Sequence, residues 1–436
     1  MTDYKFSKYN SILKTDAKLN VLYNGLSDRF IVFRKKLRAL LDKDIEELKN
    51  TSEEFYRTLV EADAIIATDR DEFAELKSLS EKIDNAQHEC KIIVNPTMDC
   101  NFKCWYCYEN HVVNSKINSD ILERIKRLIR RQTENEQIEF IDLAFFGGEP
   151  LLQYPAIKEL IDYTREQCCY QKKNYHLGFT SNGYLLNEEI INHLSSIEDS
   201  KSFQITLDGD REKHNKIRHE KNNSDSYDTI IFNSKILLKH KIHVLLRINY
   251  TLHNILSVKN ILADINDIPE TDRKYLRISF HRVWQDIDHD EGNKTLIADI
   301  IESFKSEFDQ TNDSYHMNDM HYPCYGDKQG TVVVNYNGDV YKCTARNFSA
   351  ENRYGILLSD GTIAWDQQKL EKRKHAKMNK EICKSCRILP LCGGGCAQNS
   401  VENPDNFCGL AFTESDKDRI IFNHFYNRYL NNTYNE

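Results

Sequence analysis

From Cys90 onward the chain repeats one pattern six times, an apolar strand-length run followed by a helix-length stretch. The runs are "KIIVNPT", "IEFIDLAFF", "YHLGFTSN", "KSFQITLDG", "KIHVLLRINYT" and "KYLRISFHRVW". They are separated by segments such as "INSDILERIKRLIRR" and "SYDTIIFNSKILLKH", whose apolar residues recur at helical spacing. Such alternation predicts an α/β fold, either a parallel sheet or a partial (β/α)6 barrel of the TIM type. In such a fold the chemistry lies at the carboxyl ends of the strands.

The flanks read differently, and with 436 residues and 40% hydrophobic content the chain has material for two or three cores. Residues 11–35 alternate apolar and polar positions on either side of Asn24-Gly25, a hairpin signal that predicts two antiparallel strands. Residues 36–62 have helical spacing, and "ADAIIATDRDEFAEL" adds a short strand, a turn and another helix. After about residue 310, short strand signals surround a second Asn-Gly turn at Asn337-Gly338. Seven of the thirteen cysteines also lie in this part, between Cys324 and Cys408. The expected division is 1–88, 89–310 and 311–436.

The balance of 59 Lys and Arg against 67 Asp and Glu, a net charge of -8, offers no basic field for nucleic acid. "MTDYKFSKYN" lacks the parts of a signal peptide, and no apolar run is long enough to span a bilayer. The expectation is a cytoplasmic protein with no membrane and no nucleic-acid partner. In a reducing compartment, short-spaced cysteines point to metal ligation rather than disulfides.

Cys100, Cys104 and Cys107 follow the first barrel strand as C-x3-C-x2-C. A 4Fe-4S cluster normally takes four thiolates, so three hold three irons and leave one open to an outside ligand. A zinc knuckle is the alternative, with His111 as the fourth ligand. The spacing, with Tyr106 before the last cysteine, resembles the loop of the radical S-adenosylmethionine (radical SAM) enzymes. That resemblance implies that S-adenosyl-L-methionine chelates the open iron and is cleaved to a 5′-deoxyadenosyl radical, with Cys100, Cys104 and Cys107 as the catalytic ligand set. It also implies a cofactor site at later strand ends. "FFGGEP" offers Gly147, Gly148 and Glu149, the last for the methionyl ammonium group, and "TSNGY" offers Ser181 and Asn182 for carboxylate or ribose contacts. "TLDG" adds Thr206 and Asp208, and "RINYT" adds Arg247 and Asn249, as cofactor-side candidates.

The later cysteines read C324-x13-G338-x4-C343, C383-x2-C386-x5-C392-x3-C396 and C408, which resembles the SPASM iron-sulfur domain. The likeness implies two auxiliary 4Fe-4S clusters, hence three in all. Cys324, Cys343 and Cys396 would hold the first, and Cys383, Cys386, Cys392 and Cys408 the second. A fourth ligand for the first is missing between Cys324 and Cys343, leaving a substrate thiolate or an oxygen such as that of Asp327. Gly393, Gly394 and Gly395 suit a tight wrap around a cluster. A pair of zinc ribbons is the competing reading. Cys90, Cys168 and Cys169 fit neither pattern and read as small buried hydrophobes.

Sulfatase-maturing members of this group carry an Asp after the second SPASM cysteine, where this chain has Thr344. The N-terminal order of hairpin, helices and wing-like strand resembles the winged-helix-like peptide-recognition module of maturases that act on ribosomally made peptides. Such a module binds a leader by strand addition. The expectation is therefore a peptide maturase that abstracts hydrogen from a precursor peptide and installs a thioether or carbon-carbon crosslink, served by a reductant such as flavodoxin or ferredoxin. Sulfatase maturation, peptide epimerisation using Cys168 or Cys169 as hydrogen donor, and a non-catalytic electron carrier or zinc scaffold are the alternatives.

Overall fold

The computed structural model describes residues 3–13, 18–222, 225–286, 294–308, 310–313, 323–405, 408–410 and 412–429. The chain forms two compact units, one of residues 1–85, 317–328 and 367–436, the other of residues 86–316 and 329–366. The expected segment 311–436 is thus divided between them, and the N-terminal segment shares its unit with most of the later cysteines.

In the first unit, strands β1 (Tyr4–Phe6), β2 (Asn10–Leu13), β3 (Leu19–Asn24), β4 (Arg29–Arg34) and β5 (Ile65–Ala67) form two small sheets. One is an antiparallel β2-β3-β4 sheet and the other is the pair β1-β5. The hairpin is real, but β2 adds a third strand to it; the expected first arm ran on through residues 14–17, which lie outside the described residues. The wing-like strand β5 pairs with β1, a three-residue strand too short to show a period.

The Asn-Gly signal marks the turn for a different reason than expected. Asn24 accepts from the amides of Leu26 and Ser27 at 3.1 and 3.0 Å, and the left-handed residue is Asp28, φ 52°. Gly25 instead gives room to Pro390, whose Cγ would lie 3.1 Å from an added Cβ.

Strand β3 is buried on both faces. Leu22, with Ile31 and Phe33 of β4, packs on Leu48, Phe55 and Leu59 of the helices that follow. Val21 and Tyr23 turn the other way onto Ile388, Leu391 and Ile421. Polar contacts fix the same seam. Asp28 accepts from His424 and Arg428 at 2.7 and 2.8 Å, and Arg387 reaches Ser11 at 3.0 Å.

The second unit contains all six expected barrel strands, β6 (Glu89–Asn95), β7 (Phe140–Phe145), β8 (Asn174–Ser181), β9 (Ser200–Leu207), β10 (His243–Tyr250) and β11 (Leu276–Arg282). They are parallel and neighbour one another in chain order. β12 (Thr311–Asp313) extends one edge. At the other, β13 (Thr331–Asn335) pairs parallel to β6, followed by antiparallel β14 (Asp339–Tyr341), β15 (Gly355–Leu357) and β16 (Ile363–Trp365). The result is a mixed sheet of eleven strands among the described residues.

Alternate strand residues such as Ile92, Val94, Ile141, Leu143, Leu177 and Phe203 join a core with the apolar stripe of the helices, for example Ile125 and Ile129 of Ser119–Glu134. Several intervening positions are polar, among them Lys91, Asp142, His176 and Ser202. This lets side chains at the strand ends converge.

No helix among the described residues is long and apolar enough to cross a membrane.

Candidate active site at the carboxyl ends of the strands

The chain leaves β6 into the cysteine loop, which is stitched to itself before it meets anything else. Thr97 Oγ1 donates to the Ser115 carbonyl at 2.6 Å, and Ser115 Oγ accepts from the Met98 amide at 2.9 Å. The Asp99 carboxylate accepts from the amides of Cys100 (2.9 Å) and Asn114 (3.0 Å) and from Lys221 Nζ (2.8 Å). Burial favours the neutral carboxyl, but these donors prevail and Asp99 lies below the usual carboxylate range.

Gly147 and Gly148 let the loop cross the end of β7. An added Cβ at Gly147 (φ 118°) would stand 2.3 Å from the Thr97 carbonyl oxygen, and one at Gly148 would stand 2.2 Å from that of Asp99. The close approach expected of these glycines is therefore to the cysteine loop itself. Glu149 follows, fully buried, its amide donating to the Asp99 carbonyl at 2.8 Å. Its carboxylate accepts from Ser181 Oγ at 2.8 Å, the Asn182 amide at 2.7 Å and the Leu151 amide at 3.0 Å. Burial outweighs these bonds and raises its pKa. Asn182 also donates to Asn101 of the loop at 2.8 Å. Ser181 and Asn182 thus hold Glu149 and the loop in place.

Tyr106 gathers the remaining strand ends. Its hydroxyl donates to Asp208 at 2.8 Å and accepts from Arg218 at 2.9 Å and Asn249 at 3.1 Å. Burial pushes Asp208 up to about 6 despite the nearby Arg218, and its Oδ1 has no partner among the described residues. Arg247 donates to Asn249 at 2.9 Å.

Two residues were missed by sequence reading. Arg218 is buried just past a short helix, and its charge acts on Cys100, Cys104 and Cys107 alike. Glu109 is pushed up to about 8 by burial and by Glu149, and its Oε2 has no partner among the described residues. In the sequence it reads as an ordinary loop carboxylate.

Burial raises all three loop thiols, that of Cys107 to about 11, so iron must displace protons to bind there. Arg218 opposes this rise and favours the thiolates. His111 stands 3.5 Å from Cys107 Sγ. Among the described residues, no three His, Cys, Asp or Glu side chains converge closely enough to hold a single metal ion.

In the first unit, Cys383, Cys386, Cys392, Cys396 and Cys408 border one cavity of about 70 Å³, together with Gly394 and Gly395. Burial raises Cys392 to about 12. Gly394 (φ 82°) passes against Met378, whose amide nitrogen would lie 2.8 Å from an added Cβ. Five thiols around one small cavity is a donor set suited to an iron-sulfur cluster. Cys324 lies within electrostatic reach of Cys396, whereas Cys343 belongs to the second unit. Asp327 is buried in ion pairs with Arg373 at 2.9 Å and Lys377 at 3.8 Å. Cys90 and Cys168 are buried as expected, but Cys169 is exposed, being at a helix position that faces away from the core.

Residues 94–268 match the radical SAM superfamily, so this segment is a radical SAM domain, a family that implies a 4Fe-4S cluster and S-adenosylmethionine. It is 24% identical to the cysteine-type anaerobic sulfatase-maturating enzyme of Clostridium novyi over 364 residues, covering 75% of this chain and 93% of the relative. It is 21% identical to the radical SAM cyclopropyl synthase TigE of Paramaledivibacter caminithermalis over 392 residues, covering 81% of this chain and 75% of the relative. Among solved structures, Streptococcus suis SuiB bound to precursor peptide SuiA covers 93% of this chain and 99% of its own, with TM-score 0.53 and 14% identity. That likeness establishes the α/β fold.

Proposed function

We propose that this chain is a radical SAM/SPASM peptide maturase that installs a thioether or carbon-carbon crosslink in a ribosomally made precursor peptide. The observation that carries the reading is the cysteine loop seated on Gly147, Gly148 and Glu149, with Tyr106, Asp208 and Arg218 beside it. The bound cluster and S-adenosylmethionine would supply the 5′-deoxyadenosyl radical. The chain's own residues would do the rest. Cys100, Cys104 and Cys107 hold three irons, Glu149 offers a carboxylate to the methionyl ammonium group, and buried Arg218 offers a guanidinium to a carboxylate.

The two auxiliary clusters, a reductant such as flavodoxin or ferredoxin, a cytoplasmic setting and the functional division into 1–88, 89–310 and 311–436 belong to the same proposal. The peptide-recognition role of residues 1–88 is supported by the three-stranded β2-β3-β4 sheet, in which β4 pairs with β3 alone among the described strands. Matches to TigE and SuiB, whose names concern cyclopropyl synthesis and a precursor peptide, favour peptide maturation. The Clostridium novyi relative favours sulfatase maturation instead. Thr344 stands where sulfatase maturases carry an Asp, and that side chain counts against the second reading.

The test is anaerobic reconstitution followed by chemical reduction with dithionite in the presence of S-adenosylmethionine. Wild type is expected to release 5′-deoxyadenosine, and the Cys100→Ala, Cys104→Ala, Cys107→Ala triple variant to release none. Incubated with candidate peptides, a crosslinking enzyme removes two hydrogens from the peptide. Conversion of a sulfatase cysteine to formylglycine, which replaces its sulfur by oxygen, would instead establish the second reading.

A further inference from the structure

Tyr9 lies just before β2 and is fully buried. Its backbone is fixed on both sides, the amide donating to Ser7 Oγ at 3.1 Å and the carbonyl accepting from Gly25 at 3.1 Å. Its ring packs in one cluster with Leu76, Met378 and Leu389, and Cys383 and Cys386 pack against the same cluster. Its hydroxyl has no hydrogen-bond partner among the described residues.

An unsatisfied buried hydroxyl is destabilising, a cost that phenylalanine would avoid. The acidic groups whose charge reaches this hydroxyl are Glu72, Asp71 and Cys386. Glu72 is already engaged by the Ser7 hydroxyl and the Lys8 amide, and Asp71 caps its own helix through the amides of Phe73 and Ala74. Cys386 remains. A neutral thiol is a weak acceptor, whereas a metal-bound thiolate carries the charge that attracts a hydroxyl donor.

We propose that Tyr9 donates a hydrogen bond to the sulfur of Cys386 when that sulfur ligates iron, so that a residue of the N-terminal module tunes the auxiliary cluster. The inference rests on the reading that Cys383, Cys386, Cys392 and Cys408 hold a cluster. Hydrogen bonds to ligating sulfurs help set cluster potentials, and a donor stabilises the more negative, reduced state.

The experiment compares full-length wild type, Tyr9→Phe and Cys386→Ala, each reconstituted anaerobically. It measures iron and sulfide per chain, a redox titration followed by electron paramagnetic resonance, and thermal unfolding with and without iron. Tyr9→Phe is expected to keep its iron, to be at least as stable as wild type without metal, and to show an auxiliary signal that titrates at a more negative potential. An unchanged potential at full iron content overturns the proposal. If Tyr9→Phe loses iron while its metal-free stability holds, the hydroxyl is retaining the cluster and the proposal stands. If metal-free stability falls too, ring packing is responsible and the proposal fails. Cys386→Ala separates the underlying reading: iron content equal to wild type removes the cluster assignment, and the Tyr9 proposal with it.

Discussion

At the scale of single residues, the tightest constraint is at Gly148, where the Asp99 carbonyl leaves no room for a Cβ. Gly148→Ala should push the cysteine loop off its seat. The expected outcome is a folded protein whose iron content falls by about the loop cluster's share and which releases little 5′-deoxyadenosine. Asp142 tests a different property. Burial alone would raise its pKa, but the His176 hydrogen bond and the Lys91 charge outweigh it and leave the carboxylate below its ordinary range. Its contribution is therefore present above the unfolded carboxylate pKa of about 3.9 and is lost as pH falls through the lower folded value. Asp142→Asn should cost about 3 kcal/mol at neutral pH, and the gap to wild type should narrow below pH 4 in denaturant titrations. The cysteine groups stand out in the sequence because thiols at short spacing have few other uses. Arg218 does not, because its importance comes from burial beside three thiols, and an isolated Arg in a sequence carries no sign of that.

At the scale of elements, the six barrel strands were legible because each is a long apolar run between helices, so period and length agree. β1, β12, β14, β15 and β16 are three-residue strands. Their existence depends on partners that no local pattern records. The same reasoning explains β5: its apolar run was visible, but its pairing with β1 was not. A prediction belongs to β4. If a leader peptide adds to its edge, hydrogen exchange should slow at alternate amides between Arg29 and Arg34 on adding peptide, while exchange in β3 changes little. Uniform protection of β2, β3 and β4 together would indicate general stiffening and would count against strand addition.

At the scale of the whole molecule, the division into parts was only partly legible. Composition separates residues 311–436 from the barrel, yet residues 329–366 complete the large sheet while 367–436 pack with the N-terminal segment. Sequence order conceals this because the joining contacts, such as Tyr23 with Leu391 and Ile421, link residues hundreds of positions apart. Removing residues 1–85 should therefore do more than take away the proposed peptide-recognition module. It strips Leu13, Val21 and Tyr23 from their apolar partners, and the truncated chain should expose hydrophobic surface to dye and hold less iron at Cys383, Cys386, Cys392 and Cys408.

A unit assembled from both ends of a chain also sets an order of events during synthesis. Every residue of the sheet-bearing unit lies at or before residue 366, so all of it is synthesised before residues 367–436. The first 85 residues, though made first, must wait for residues 367–436 before β3 finds cover for its second face. On the proposed peptide-recognition role, a chain that stalls before its late cysteines would lack the finished surface for capturing a peptide.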